Sequence, residues 1–255
     1  MEPPAFLVTA GHPVRWRLLS ALAGSDLAVH ELTARLGHPQ NLISYHLGRL
    51  RKAGLVTARR SSADGRDTYY TLHLARCSAM LTGAGAALHP ALRLSAPPPA
   101  RPGRARVLFL CTGNSARSPM AEAILRRLTA GEVEVYSAGV NPKPLHRYAV
   151  RALAVRGMDP PETGPTHVSQ LTGGFSHVIT LCDRVKEVCP SFDAPHQALS
   201  PDGPNQALSP GGPRQVHWSI PEPVHPADFD HVADQLTERI GFFLHTLATD
   251  SEEAS

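Results

Sequence analysis

The chain has 255 residues, enough for one large domain or two ordinary ones, and 42% of them are apolar, as in globular proteins. Four scattered cysteines exclude a disulfide-stapled scaffold, and no apolar run approaches the roughly 20 residues that span a bilayer. The start MEPPAF is unlike a secretory signal, so we expect a cytoplasmic protein with reduced thiols. Residues 1–105 carry 13 Lys and Arg against 5 Asp and Glu, whereas residues 106–255 carry 12 against 17, which predicts two domains and a polyanionic partner for the first.

The first third of the chain has the pattern of a helix-turn-helix followed by a β-hairpin. Apolar residues recur at helical spacing over 14–24, 29–36 and 39–53. The segments LVTARR and DTYYTL, joined by a turn at Asp64-Gly65, predict a hairpin. Two helices joined by a tight turn and followed by a hairpin form an α+β winged helix-turn-helix, a DNA-binding fold.

The run from Asp26 to Leu72 resembles the arsenic-repressor (ArsR/SmtB) family of winged-helix regulators, most specifically in SYHLGRLRKAGLV. That resemblance implies a homodimer formed through this domain, with a helix over 79–88 suited to the interface. It also implies that helix 39–53 enters the major groove of operator DNA, where the residues expected to reach base edges are Gln40, Asn41, Ser44 and Tyr45. The basic residues expected at DNA phosphates are Arg60 and Arg66 of the wing, with Arg49, Arg51, Lys52 and Arg59.

One feature departs from that family. Arsenite-sensing members often carry a cysteine pair in the second helix, whereas this chain reads Leu27, Ala28, Val29 and His30 there. Trivalent arsenic prefers sulfur ligands, and Cys77 is the only thiol in this domain. The inducer, and whether Cys77 senses it, therefore stay open.

A proline-rich stretch separates the two halves of the chain. It contains Pro97, Pro98 and Pro99 in succession and cannot form a packed element. We therefore predict a DNA-binding domain over 1–90, a linker over 91–105 and a second domain over 106–249. In the second domain, apolar strands alternate with helical segments, which predicts an α/β fold with a central parallel sheet and helices on both faces.

The stretch VLFLCTGNSARSPMAEA, residues 107–123, predicts a strand, a tight loop and a helix. Cys111 ends the strand, and small residues then let the loop curl so that its amides and the helix N-terminus hold an oxyanion. Arg117 can close over that anion, and Ser118 can donate a hydrogen bond to the Cys111 sulfur. The positive field favours the thiolate form of Cys111. The predicted oxyanion-binding residues are Thr112, Gly113, Asn114, Ser115, Ala116 and Arg117.

The pattern of a cysteine, five residues and an arginine, with a strand before it and the SPMAEA helix after it, resembles the phosphate loop of the low-molecular-weight tyrosine phosphatase family. That family also contains thiol-dependent arsenate reductases. VITLCDRVKEVCP, with the later His217-Trp218, resembles the segment that carries the two redox cysteines of thioredoxin-coupled arsenate reductases. The resemblance implies that Cys111 attacks arsenate, Cys182 attacks Cys111 and releases arsenite, and Cys189 then attacks Cys182. It implies no bound cofactor or metal, only an external thiol reductant such as a thioredoxin.

Two alternatives stay open, a phosphatase and an oxyanion sensor without turnover. SPMAEA is closer to the phosphatases, which favours the first alternative. Against it, Glu222 stands where the phosphatases place the aspartate of an Asp-Pro general acid, and no tyrosine follows Pro223. Glu222 can still donate a proton.

A near-tandem duplication over 197–214 predicts a surface loop, and an amphipathic helix is predicted over 227–247.

Overall fold

The computed structural model describes residues 2–63, 65–93, 105–172, 174–188 and 212–253, with the backbone alone at 188 and over 249–253. The chain divides into two compact units, Met1–Pro98 and Pro99–Ser255. Asp64 of the predicted hairpin turn, residues 94–104 of the predicted linker, Cys189 and the duplicated loop up to residue 211 lie outside the described residues.

The first unit is a winged helix-turn-helix. Its small antiparallel sheet has the order β1-β3-β2, and Ala58 of the second strand pairs with Tyr70 of the third. The predicted helices and hairpin are all present, preceded by a short helix that the sequence patterns did not indicate. The elements are α1 Ala5–Ala10, α2 Pro13–Leu22, β1 Leu27–Ala28, α3 Val29–Leu36, α4 Gln40–Lys52, β2 Val56–Arg60, β3 Thr68–Leu72, α5 Leu74–Leu88 and a 3₁₀ turn Pro90–Leu92.

Local chemistry explains where these helices start and stop. The Glu31 carboxylate accepts a 2.7 Å hydrogen bond from the Ala28 amide at the start of α3, and Gly37 ends that helix in the left-handed region at φ 66°. In α4, Ile43, Leu47 and Leu50 are fully buried on one face. Helix α5 starts at Leu74 rather than near residue 79, because the hairpin already ends where the His73 amide bonds to the Leu55 carbonyl.

The second unit confirms the predicted α/β class. Its four strands are all parallel and lie in the order β5-β4-β6-β7. Residues 107–111 of the central strand are buried without alternation, so both faces of the sheet are covered. The elements are β4 Arg106–Cys111, α6 Arg117–Leu128, β5 Glu134–Gly139, α7 Arg147–Val155, a 3₁₀ turn Val168–Gln170, β6 His177–Thr180, α8 Asp183–Val188, β7 Arg214–His217 and α9 Pro226–Glu253.

The carboxyl ends of these parallel strands form the edge at which ligands bind in such sheets. Cys111 is the last residue of β4, and Cys182 lies two residues beyond the end of β6. Gly139 ends β5, and His217 ends β7, a strand that the sequence patterns did not indicate. One edge of the sheet therefore brings together both described cysteines of this unit.

Candidate active site

The loop from Cys111 to Arg117, here called the phosphate loop, joins the end of β4 to the start of α6. Cys111 is 3% exposed and Arg117 is 6% exposed, so both lie inside the fold. A cysteine at a strand end therefore faces the N-terminus of a 12-residue helix, whose free amides and dipole favour an anion.

The carbonyl groups of the phosphate loop are held by the chain that follows β5. The amides of Asn141, Lys143 and His146 donate to the carbonyls of Thr112, Gly113 and Ser115 at 2.9, 2.8 and 2.8 Å. Because these carbonyls point toward that segment, the amides of the phosphate loop are free to point to the opposite side. There the amides can form an anion-binding nest.

Asn114 holds the phosphate loop from within. Its backbone is left-handed at φ 44°, and its side chain is 1% exposed. The side-chain amide donates to Ser118 Oγ at 3.0 Å and Ser137 Oγ at 2.9 Å, and its carbonyl accepts from the Thr166 amide at 2.7 Å. Sequence reasoning named Asn114 only as an anion-binding position. Ser137 and Thr166 are distant in sequence, so no local pattern indicated them.

Ser118 lies where it can serve the nucleophile. Its Oγ is 3.0 Å from Cys111 Sγ, and Ser118 is fully buried. Because Asn114 already donates to this oxygen, the hydroxyl proton is left for an acceptor, and the sulfur is nearer than the Ala138 carbonyl at 3.4 Å. The geometry therefore suits donation of the Ser118 hydroxyl proton to Cys111 Sγ.

Arg117 is buried, and partners among the described residues do not use all of its donors. Its Nη1 donates to the Ile220 carbonyl at 3.0 Å, which orients the guanidinium over the loop. The planar fork has five N–H donors, so others remain for a bound oxyanion.

Cys182 lies against the phosphate loop. Its Sγ is 3.3 Å from the Thr112 hydroxyl, and the residue is 1% exposed. Burial raises the pKa of the Cys182 thiol, while the Arg117 guanidinium and the Thr112 hydrogen bond oppose that rise and the nearby Cys111 adds to it. Both cysteines are free thiols. The structure thus brings Cys182 beside the residue that follows Cys111.

A second polar cluster lies at the same edge of the sheet, at the end of β7 and the start of α8. The Asp183 carboxylate is fully buried and accepts from Ser219 Oγ at 2.7 Å. The same oxygen is 3.1 Å from His217 Nε2. Sequence reasoning noted His217 only through a family resemblance and did not single out Asp183 or Ser219.

The buried Glu122 carboxylate of α6 interacts with Ser137, which also accepts a hydrogen bond from Asn114. Glu122 is 2% exposed and pairs with Arg126 one turn later. Burial raises the pKa of Glu122, and hydrogen bonding by Ser137 and Arg126 opposes that rise.

Glu222 is the one predicted catalytic residue on the surface among those described. It is exposed, and it lies two residues after Ile220, whose carbonyl accepts a hydrogen bond from Arg117. Its general-acid role stays a prediction, as does every role assigned to Cys189.

The predicted DNA-contacting residues of α4 share one exposed surface. Gln40, Asn41, Ser44 and Tyr45 are all exposed, and Tyr45 has a relative exposure of 61%. Arg60 at the end of β2 and Arg66 in the wing are exposed as well. Their exposure leaves these side chains accessible, and their DNA contacts stay a prediction.

The described ranges contain neither a membrane-spanning helix nor a cluster of metal ligands. None of the helices there combines the length and apolar character needed to cross a bilayer. Within the same ranges, no three His, Cys, Asp or Glu side chains gather as metal ligands.

The cysteine, loop and arginine of the second unit are matched by a known family. Residues 106–253 match the family described as low molecular weight phosphotyrosine protein phosphatase. Since the match spans more than half of the chain, the protein belongs to that family.

The first unit matches a different family from the one that its sequence resembled. Residues 12–67 match the MarR family, so the winged helix is confirmed and the name ArsR/SmtB is corrected to MarR. Helical spacing, a tight turn and a hairpin are common to winged-helix regulators, which explains why these patterns indicated the fold better than the family. The predicted fusion of such a domain with a phosphatase-like domain is confirmed.

Two arsenate reductases are similar in sequence to about half of this chain. An arsenate reductase of Halalkalibacterium halodurans is 32% identical over 149 residues, which cover 55% of this chain and 95% of that protein. Arsenate reductase 2 of Bacillus cereus is 31% identical over 143 residues, which cover 55% and 94%. A solved structure of a thioredoxin-dependent arsenate reductase of Corynebacterium glutamicum aligns over 91% of this chain and 98% of its own, at 18% identity and a TM-score of 0.44.

Proposed function

We propose that the second unit reduces arsenate to arsenite and that the first unit regulates transcription by binding operator DNA. The reductase proposal is carried by one observation: a second thiol, Cys182, lies 3.3 Å from Thr112 in the loop headed by Cys111. A phosphatase needs one cysteine in such a loop, whereas a two-electron reduction needs a second thiol within reach of the first. The relatives named arsenate reductase support the same activity.

The loop amides of residues 112–116 and the Arg117 guanidinium hold the arsenate. The Cys111 thiolate, stabilised by Ser118, attacks arsenic, and an arsenate oxygen leaves as water with a proton for which Glu222 is the proposed donor. Cys182 then attacks the Cys111 sulfur. The sulfur–arsenic bond breaks and its electron pair stays on arsenic, which is thereby reduced from arsenic(V) to arsenic(III) and leaves as arsenite.

The resulting Cys111–Cys182 disulfide is resolved by Cys189. Its thiolate attacks Cys182, which forms a Cys182–Cys189 disulfide and returns Cys111 as the thiolate. An external dithiol reduces that disulfide and so supplies the two electrons. Thioredoxin is the proposed reductant. No bound cofactor takes part.

Steady-state arsenite production with a thioredoxin system tests this proposal. Cys111→Ser, Cys182→Ser and Cys189→Ser should each abolish turnover. The matched control is Cys77→Ser, which removes a thiol from the other unit and should leave turnover unchanged. Full turnover in Cys182→Ser would overturn the three-thiol relay.

A phosphatase is the second candidate, favoured by the family of the second unit and by the Cys111, Arg117 and Ser118 arrangement. Hydrolysis of a chromogenic phosphate ester, measured beside arsenate turnover in the same preparation, separates the two. Ester hydrolysis that survives in Cys182→Ser, without arsenite production in the wild type, would favour the phosphatase. Oxyanion binding without either reaction would leave a sensor.

For the first unit we propose a homodimer that reads operator DNA through Gln40, Asn41, Ser44 and Tyr45 and contacts phosphates through Arg60 and Arg66. The proposed boundaries remain 1–90, 91–105 and 106–249. Exposed apolar residues on α5, with Leu88 at 80% exposure, support its proposed place at the dimer interface.

We further propose that the state of the thiols in the second unit alters DNA binding by the first, since the metalloid-binding cysteine pair is missing at residues 27–30. A gel-shift titration with arsenate, arsenite and a thiol oxidant tests this coupling. Unchanged DNA affinity under all three would make the first unit a constitutive binder.

A further inference from the structure

His217 contacts the chain on both sides of Cys182. Its Nδ1 lies 3.1 Å from the Thr180 carbonyl and 2.9 Å from Thr180 Oγ1, two residues before the cysteine. Its Nε2 lies 3.1 Å from the Asp183 carboxylate, one residue after it. One imidazole ring therefore joins both flanks of the second thiol.

The ring and its partners are buried, so these contacts have little competition from water. Asp183 is fully buried, and His217 and Ser219 are 3% and 4% exposed. A carboxylate can only accept, so the geometry suits a ring whose Nε2 donates to Asp183, while Nδ1 lies within hydrogen-bond distance of the Thr180 carbonyl and hydroxyl. Buried charge-assisted contacts of this kind hold side chains in one geometry.

The backbone around Cys182 is fixed to the same sheet edge. The Leu181 amide donates to the Leu110 carbonyl at 2.7 Å, and the Trp218 amide donates to the Thr180 carbonyl at 2.8 Å. The Cys182 carbonyl accepts from the Lys186 amide at 3.3 Å, which makes the cysteine the residue from which α8 begins. The His217 imidazole contacts that helix at Asp183, its first residue.

We propose that His217 and Asp183, with Ser219, are positioning residues for Cys182, which keep its sulfur beside Thr112 and aimed at Cys111. They touch no substrate, and they act by fixing the Cα of Cys182 from both sides. This inference rests on the reductase proposal, in which the Cys182 sulfur forms a disulfide with Cys111 as the sulfur–arsenic bond breaks. A misplacement of about 1 Å at such a reaction can lower a rate by about 100-fold.

The test measures formation of the Cys111–Cys182 disulfide after arsenate is mixed with full-length protein. A Cys189→Ser background stops the relay at that disulfide, which is trapped by rapid alkylation and quantified by mass spectrometry. Integrity of the phosphate loop is measured separately, as the protection of Cys111 from iodoacetamide by inorganic phosphate.

His217→Phe keeps a ring but loses both contacts, and it should slow disulfide formation by about 100-fold. His217→Gln, whose amide can reach one partner, and Asp183→Asn, which keeps its acceptor oxygen, should be slowed less, by about tenfold. Phosphate protection of Cys111 should stay within about twofold of wild type throughout. Steady-state arsenate turnover, measured for the same substitutions with Cys189 intact, should show a lower kcat and an unchanged KM. The matched control is Asp230→Asn, an exposed α9 acid paired with Arg156, which should behave as wild type.

A wild-type rate in His217→Phe with phosphate protection intact would overturn the positioning role. If that variant loses phosphate protection and has therefore misfolded, Asp183→Asn decides, and a wild-type rate there overturns the role equally. If the wild type itself forms no disulfide with arsenate, the reductase proposal fails instead. The positioning role is then tested with diamide, which removes two electrons and two protons from the two thiols, and equal rates in all variants would refute it.

Discussion

Asn114 is held in a backbone conformation that residues with a side chain rarely adopt. A positive φ of 44° costs such a residue on the order of 1–3 kcal/mol. Three side-chain hydrogen bonds, to Ser118, Ser137 and the Thr166 amide, offset that cost, at about 1 kcal/mol each. The same contacts hold the curl of the phosphate loop, so loop shape and oxyanion binding should depend on one side chain.

Asn114→Ala keeps the cost of the positive φ and loses all three hydrogen bonds. We expect the free energy of unfolding to fall by about 2–4 kcal/mol and phosphate affinity to fall at least about tenfold. Urea denaturation and phosphate protection of Cys111 measure the two effects. Asn114→Gly separates the causes because it removes the backbone cost as well. Wild-type phosphate affinity in Asn114→Gly would show that the side-chain contacts are dispensable.

Gly139 allows β5 to approach the phosphate loop closely. A Cβ at this position would lie 2.7 Å from the Thr112 carbonyl oxygen and 2.8 Å from the Asn114 nitrogen, both of them backbone atoms. Gly139→Ala should therefore displace the loop, lower stability by about 1–3 kcal/mol and abolish turnover. The matched control is Gly241→Ala, where nothing lies within 4 Å of the added Cβ in α9 and stability should be unchanged or slightly higher. Equal activity in both variants would contradict this reading.

At the scale of elements, the phosphate loop and the start of α8 influence each other through Cys182 and Thr112. Burial raises the pKa of Cys182, so its thiol form predominates at neutral pH and the thiolate fraction rises with pH. The rate of Cys111–Cys182 disulfide formation should therefore rise between pH 7 and 9, by up to about tenfold per pH unit.

Thr112→Val removes the hydroxyl that opposes the rise of the Cys182 pKa. Its rate profile should be displaced to higher pH, with slower disulfide formation at pH 7 than in wild type. Stopped reactions across that pH range, analysed by mass spectrometry, measure the displacement. A rate independent of pH in wild type would mean that Cys182 attack does not limit disulfide formation.

In the first unit, α4 packs against α2 partly through a buried histidine. His46 is 3% exposed, its ring lies 4.5 Å from that of His12, and its Nδ1 has no hydrogen-bond partner among the described residues. Burial lowers the pKa of His46, and the nearby His12, Arg15 and His38 lower it further. The folded state therefore resists protonation of a group that the unfolded chain protonates at its ordinary value.

Because the pKa of His46 is lower in the folded state, stability should be constant at higher pH and fall as the pH drops below about 6.5. His46→Phe keeps the ring and should weaken that fall. Urea denaturation followed by the fluorescence of Trp16, in a Trp218→Phe background, reports on the first unit alone. An unchanged pH dependence in His46→Phe would assign the effect to another group.

At the scale of the whole molecule, the excess of basic residues lies in residues 1–105 and the excess of acidic residues in 106–255. A domain that binds DNA through phosphate contacts releases counterions, so its affinity falls with salt in proportion to those contacts. The near-neutral total charge conceals a basic first part, and DNA binding should depend steeply on salt.

Arg66→Ala should reduce the slope of log affinity against log salt by about one, because it removes one phosphate contact. Random-sequence duplex DNA is a sufficient probe, since phosphate contacts do not depend on sequence. Arg127→Ala removes an exposed arginine of the second unit and should leave the slope unchanged. If both variants changed the slope equally, the basic wing would not be the phosphate-contacting surface.

The elements that sequence reasoning located are those whose signals are local. Helix α3 needs only its apolar spacing, Glu31 at its start and Gly37 at its end. The strand β4, the phosphate loop and α6 follow one another without interruption, so a single stretch indicated a nucleophile, its anion and its arginine. The winged helix matches the MarR family rather than ArsR/SmtB, because those local signals are common to several families of regulators.

The amino-acid sequence by itself determined two units of opposite charge, a winged helix, a parallel sheet and the order of the reactive residues along the chain. Only the tertiary structure decided which distant residues meet, because such contacts depend on strand order. β6 lies between β4 and β7, which places Cys182 beside Thr112 and His217 against both flanks of Cys182. Residues more than 20 positions apart in the chain carry no joint pattern in a single sequence, and Asn114, Ser137 and Asp183 acquire their roles only when the sheet assembles.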